Sequence, residues 1–165
     1  MNPPIPLHPV IVHTPIALIV FSLLFDLVGR FTDVDWWRKA AFAMLVIGVL
    51  GAGAAVLSGN AAEEAAEQQG VPEEAIEAHE AAGIITLWLG VAAVLARWLA
   101  ARPGPARGAI SLLALVAHLL TAGAVGLAGF RGGKLVYDHG AGVKAAAPAV
   151  PGDRSGRGSG EQDHD

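Results

Sequence analysis

Ala40 to Ala62 reads AAFAMLVIGVLGAGAAVLSGNAA, twenty-three residues without one Asp, Glu, Lys or Arg. A helix rises about 1.5 Å per residue, so this run is long enough to cross a hydrocarbon core of about 30 Å. Three similar runs flank it. Val10 to Phe25 carries no such charge and Leu27 to Gly29 extend it past Asp26; Ala81 to Ala96 and Gly108 to Phe130 are also uncharged. The first reaches spanning length if Pro9 opens the helix. The third does so if it starts near His79 and Arg97 snorkels toward the interface. A soluble bundle would place a charged stripe on the outer face of each helix, and these runs have none. The predicted fold is therefore all-α, an integral membrane four-helix bundle.

Composition agrees. Of 165 residues, 53% are hydrophobic and only 16% charged, too apolar for an ordinary soluble domain. The opening Met-Asn-Pro-Pro-Ile-Pro-Leu carries no basic residue, so no cleavable signal peptide is expected. Residues 1–144 are expected to form one membrane domain. Residues 145–165, rich in Ala, Pro, Gly and charge, are expected to form a disordered polar tail.

Lys and Arg set the expected orientation. The first connection holds Arg30, Arg38 and Lys39, and the third holds Arg97, Arg102 and Arg107. The second holds none, but carries Glu63, Glu64, Glu67, Glu73, Glu74, Glu77 and Glu80. Basic connections stay cytoplasmic, so both termini and an acidic loop are expected outside a bacterial inner membrane. Helix boundaries follow from punctuation. Helix one is read from Pro9 to Arg30, with Pro15 kinking it or serving as its first helical residue. Helix two is read from Trp36 to Ser58, with Gly59 and Asn60 ending it. A short helix is expected in the acidic loop, broken at Gly70-Val71-Pro72, after which a new helix runs through His79. Gly132 and Gly133 are expected to end helix four in left-handed conformations, with Leu135, Val136 and Tyr137 folding back over the bundle mouth.

The candidate functional residues are histidines, costly in lipid and apt as metal ligands or proton carriers. His8, His13, His79 and His139 are all placed at the outer end. His8 and His13 are five residues apart and point roughly 140° away from each other on a regular helix. His13 and His79 are the expected ligand pair, with His139 capping them. His118 lies near the midplane, too deep to share their metal. It is read as a neutral imidazole bonded to Ser22, Thr86, Thr121 or a carbonyl, or else as a proton relay or single axial ligand. Asp26 is read as a structural partner of Arg30, four residues on. Gly48, Gly51 and Gly53, and Gly123, Gly126 and Gly129, are read as helix-packing surfaces or as a face for a flat cofactor.

The chain contains no cysteine, which excludes disulfides, thiolate-held iron–sulfur clusters and covalently attached c-type haem. It carries no phosphate-binding Gly-Lys-Ser/Thr loop, no His-Glu-x-x-His and no Gly-x-Ser-x-Gly. A net charge of −4 gives no nucleic-acid footprint. A cofactor would be held by histidine: haem b, with copper or zinc as the alternative.

Two stretches carry a family resemblance. Leu7-His8-Pro9-Val10-Ile11-Val12-His13-Thr14-Pro15-Ile16-Ala17-Leu18 resembles the opening of the DUF2231 family of small bacterial membrane proteins, with Thr14 where that family usually has an aromatic. Gly132-Gly133-Lys134-Leu135-Val136-Tyr137-Asp138-His139-Gly140-Ala141-Gly142-Val143 resembles its closing motif. The resemblance implies a four-helix membrane domain without an established biochemical role. Some relatives are joined to Rieske-type or cytochrome domains, which implies electron transfer with a membrane or periplasmic redox partner. Two readings from different classes follow. In one, the domain is a haem b electron-transfer module with His13 and His79 as axial ligands. In the other, it is a non-catalytic scaffold or a copper- or zinc-handling protein. An electron-transfer or binding module is expected rather than an enzyme.

Overall fold

The computed structural model describes residues 7–32 and 34–143, and these residues form four helices and no strand. They are α1 (Leu7–Phe31), α2 (Asp35–Gln68), α3 (Glu73–Ala100) and α4 (Arg107–Tyr137). Each is long and apolar enough to cross a membrane. The protein is a multi-pass membrane four-helix bundle. The tail expected to be disordered lies outside the described residues, as does His164.

Helix ends differ from the sequence reading in three places. α2 runs without interruption through Gly59 and Asn60 to Gln68, so the acidic segment has no separate helix. Its Ala- and Glu-rich composition is strongly helix-forming, and the last membrane turn simply propagates into it. The break falls where expected, at Gly70. There Gly70 takes φ +80°, its N–H donates to Glu67 O at 2.8 Å, and Val71 N–H donates to Ala66 O at 3.2 Å. These two bonds form a Schellman cap, closed by the buried side chain of Val71. α4 likewise continues through Gly132 and Gly133 to Tyr137, so Leu135, Val136 and Tyr137 do not fold back. Gly140, at φ +69°, makes the turn instead, and Gly142 N–H reaches Gln69 Oε1 at 2.9 Å on the α2–α3 connection. α1 begins by Leu7, and Pro15 lies inside it as a buried residue rather than at its start.

The helices form an up-down-up-down bundle. α1 packs chiefly on α2 and α3 on α4; α2–α3 and α1–α4 touch less, and the diagonals make no close backbone approach. The antiparallel register of the first hairpin shows in its glycines. A Cβ at Gly48 would lie 3.0 Å from Ile19 Cγ1, and one at Gly51 3.3 Å from Pro15 Cδ. In the middle of α3, a Cβ at Gly90 would lie 2.7 Å from Val49 Cγ2. Small residues let these backbones approach, which is how helices associate in lipid. Gly123 and Gly126 of α4 meet nothing within 4 Å, so they play no such part here.

Polarity is inverted relative to a soluble bundle. Large apolar side chains such as Leu50, Leu57, Trp88 and Phe130 are exposed on the perimeter, where lipid would cover them. The interior is thin and built largely from small residues: Leu45, Val49, Ala93 and Ala117 form its apolar cluster. Among the described residues, five polar side chains are buried beside it: Ser22, Asp26, Thr86, His118 and Thr121. Thr86 and Thr121 donate to carbonyls one turn back in their own helices, Ala82 O at 2.8 Å and Ala117 O at 2.7 Å. Ser22, Asp26 and His118 bond between elements, and they divide the molecule into two ends.

Candidate functional site

The mouth formed by the start of α1, the upper part of α2, the start of α3 and the end of α4 brings two histidines together. His8 and His79 face each other across the bundle diagonal, with ring centroids 5.9 Å apart and planes at 86°. Both rings are half-buried. Glycines on the neighbouring helices make room for them. A Cβ at Gly132 would lie 2.9 Å from His79 Cε1, and a Cβ at Gly59 would lie 3.3 Å from His8 Cε1. Gly59 and Gly132 were read from sequence as helix terminators; they serve here as the walls of the two ring pockets.

The hydrogen bonds fix the chemistry of both rings. His79 Nδ1 lies 3.0 Å from Ala128 O, an atom that can only accept, so Nδ1 carries the proton and donates. Ser58 Oγ–H donates to Ala55 O at 3.0 Å, so its single proton is already used. His8 Nδ1–H therefore donates to Ser58 Oγ, at 3.0 Å. In both neutral rings the lone pair sits on Nε2. Imidazole in a metal site typically has this form, with Nδ1–H held by a protein oxygen and Nε2 directed at the metal. Arg131 and Asn60 brace the rim. Arg131 Nη1 donates to Ala78 O at 2.6 Å, and the Asn60 amide donates to Glu80 Oε1 at 3.1 Å and Val56 O at 2.9 Å in the orientation that satisfies both groups.

The other candidates lie elsewhere. His13 is exposed, and its Nδ1 bonds to Pro9 O at 2.5 Å within its own helix. The ring that meets His79 is thus that of His8. His139 is exposed on the turn after α4. Among the described residues, no group of three or more His, Cys, Asp or Glu side chains is placed to hold a metal ion. The mouth offers two nitrogen donors and leaves the remaining positions of any ion to solvent or a partner.

One sequence signal pointed to His8. The buried face of α1 carries Pro15, Ile19, Ser22, Asp26 and Gly29. Stepping back seven residues from Pro15, nearly two full turns, lands on His8, whereas two residues back lands on the opposite side at His13. The polar residues Ser22 and Asp26 mark the inward stripe, and following it upward leads to the histidine whose ring meets His79.

His118 is fully buried in the middle of α4 and bonds Ser22, one of the partners expected for it, at 2.7 Å through Nε2. At the opposite end of the bundle, Asp26 pairs with Arg30, as its spacing suggested, at 3.3 Å. It also pairs with Arg97 of the diagonal helix α3, at 2.5 Å. Arg97 does not snorkel: its side chain is 11% exposed and turns inward, because a buried carboxylate offers it more than the interface does. Its other arm donates to Arg38 O at 3.2 Å, and Arg30 reaches Ser111 O at 3.4 Å. All four helices are joined at this level. Trp36, Trp37 and Phe25 pack together beside it, with centroid separations of 4.9 to 5.8 Å.

No curated protein and no solved structure matches the chain. A family profile described as a predicted membrane protein matches residues 4–145, which takes in all four helices and both histidines of the mouth. The chain belongs to the DUF2231 family of membrane proteins.

Proposed function

We propose that the protein is a metal-holding module of a bacterial inner membrane, taking a copper or zinc ion between His8 and His79 at the exterior mouth. One observation carries this reading: two neutral imidazoles face each other with both Nδ1 atoms tied back and both Nε2 lone pairs unengaged. Two metal–nitrogen bonds of about 2 Å, with each ring centre about 1 Å beyond its nitrogen, put the centroids roughly 6 Å apart when the donors are in line. The separation of 5.9 Å suits that arrangement. Imidazole is a good ligand for both metals, and a two-donor site with open positions suits an ion in transit more than a permanent structural one. The absence of Lys and Arg from the α2–α3 connection supports an exterior placement of the mouth.

Haem b in electron transfer is the second reading. It is favoured by the presentation of the two rings from diagonal helices, as axial ligands on opposite faces of an iron would be. Its ligands would then be His8 and His79, not His13. The gap between the two rings, backed on each side by helix backbone at Gly59 and Gly132, suits a small ion better than a macrocycle.

The test is a cuprous- and zinc-binding titration of the detergent-purified full chain against a chromophoric chelator, with an optical spectrum of a parallel sample expressed with haem supplied. Stoichiometric metal binding is expected, lost in His8→Ala and in His79→Ala and retained in His13→Ala and His139→Ala. A Soret band lost in the first two variants would replace the ion reading with the haem reading. Neither signal in the wild-type protein would overturn both.

A further inference from the structure

The bundle core holds a second polar site that the mouth does not use. Ser22 Oγ–H donates to Ile19 O at 2.8 Å, which uses the serine's only proton. His118 Nε2–H must then donate to Ser22 Oγ, at 2.7 Å, and the imidazole lone pair falls on Nδ1. His118 is 0% exposed, and this Nδ1 has no hydrogen-bond partner. Arg97 Nη1 is also buried; one of its two N–H groups serves the ion contact with Asp26 Oδ1 at 2.5 Å, and the second is left to donate. The first orphan is an acceptor and the second a donor. Leaving either unmade costs about 1–3 kcal/mol, more for the charged group.

The two orphans belong to neighbouring levels of one polar stack. Their partners, Ser22 and Asp26, sit four residues apart on the same face of α1, a rise of about 6 Å. A single water molecule making two hydrogen bonds of about 2.8 Å spans nearly 6 Å. Buried waters are found where two or more otherwise unpaired polar groups converge.

We propose that His118 Nδ1 and Arg97 Nη1 bind one water molecule between them, making His118 the end of a hydrated inlet from the Arg30 end of the bundle. The water accepts from Arg97 and donates to His118, and its second hydrogen is left for the Asp26 carboxylate. The chain of contacts then runs from Ser111 O through Arg30, Asp26, Arg97 and the water to His118 and Ser22. It stops there. Ile19, Leu45, Val49 and Val125 are buried beyond it, and the Thr86 and Thr121 hydroxyl protons are held by their own helices. Ala128, which holds His79, is ten residues further along α4, or about 15 Å. The inlet and the metal mouth are therefore separate sites, and His118 exchanges protons with one end of the bundle only.

Water-edited nitrogen NMR on the full chain in lipid bilayers, with histidine labelled, tests this. Single His→Gln variants at His8, His13, His79, His139 and His164 identify the His118 signals by subtraction without touching the core. The expected result is a protonated Nε2 and a water-to-Nδ1 transfer several-fold faster than that to the Ile19 methyl groups. Transfer no faster than to Ile19 would overturn the proposal, as would a direct hydrogen-bond coupling between Arg97 and His118 Nδ1.

Discussion

The two ends of this bundle handle polar groups in opposite ways. At the Asp26 end, a buried carboxylate is held by two arginines from different helices, and the same two guanidinium groups reach the other two helices through Arg38 O and Ser111 O. At the histidine end, Nδ1 of each ring is anchored to a neighbouring helix and Nε2 makes no hydrogen bond within the protein. A polar cluster whose charges pair with one another stabilises the bundle. One whose Nδ1 donors are tied back leaves its Nε2 acceptors without a partner in the protein. Polarity and burial alone would not distinguish them; the direction of the hydrogen bonds does.

If that contrast holds, the largest effect should come from the paired end. Asp26→Ala leaves Arg97 buried without its counter-charge, and a loss of about 3–5 kcal/mol is expected in reversible unfolding in mixed micelles. An Asp26→Leu, Arg97→Leu double variant should recover much of that loss. Equal damage in single and double variants would mean that the pair is not the lock described here. Next comes Gly132→Leu, which drives a side chain into the His79 ring. It should cost about 1–3 kcal/mol of stability and also abolish metal binding, a combination that no substitution at the Asp26 end should produce. Ser58→Ala should act on the site more than on the fold, lowering metal affinity roughly tenfold in the chelator titration by releasing the His8 ring. The smallest effect is expected from Glu63→Gln and Glu64→Gln, within about 0.5 kcal/mol and with no loss of metal stoichiometry. A large change there would move the binding site onto the acidic hairpin and break the comparison.

The spans were legible in the sequence because lipid imposes a rule with few solutions: a charge-free run of sufficient length must be a helix. Helix ends were less so, since Gly59-Asn60 and Gly132-Gly133 resemble the terminators of soluble helices. In a membrane bundle glycine serves close approach as often as termination, and only the partner helix reveals which. The pairing of His8 with His79 was half legible. The 140° separation from His13 allowed only one of the two to face inward, and the buried stripe from Asp26 back to Pro15 determines which. The pairing of Asp26 with Arg30 and of His118 with Ser22 followed from spacing and depth. The diagonal reach of Arg97 did not, because a basic residue near a helix end is ordinarily an interfacial one.

The length of α2 carries one more consequence. Thirty-four residues make a rod of about 51 Å, some 20 Å more than the hydrocarbon needs and longer than the bilayer with its headgroups. The capped tip at Gly70 therefore stands clear of the lipid, within reach of a water-soluble protein that never touches the membrane. Ser58 lies ten residues below the end of the same unbroken rod, holding His8, and His79 lies just below the tip on the returning strut. The hairpin therefore carries outward the same two helices that hold Ser58 and His79.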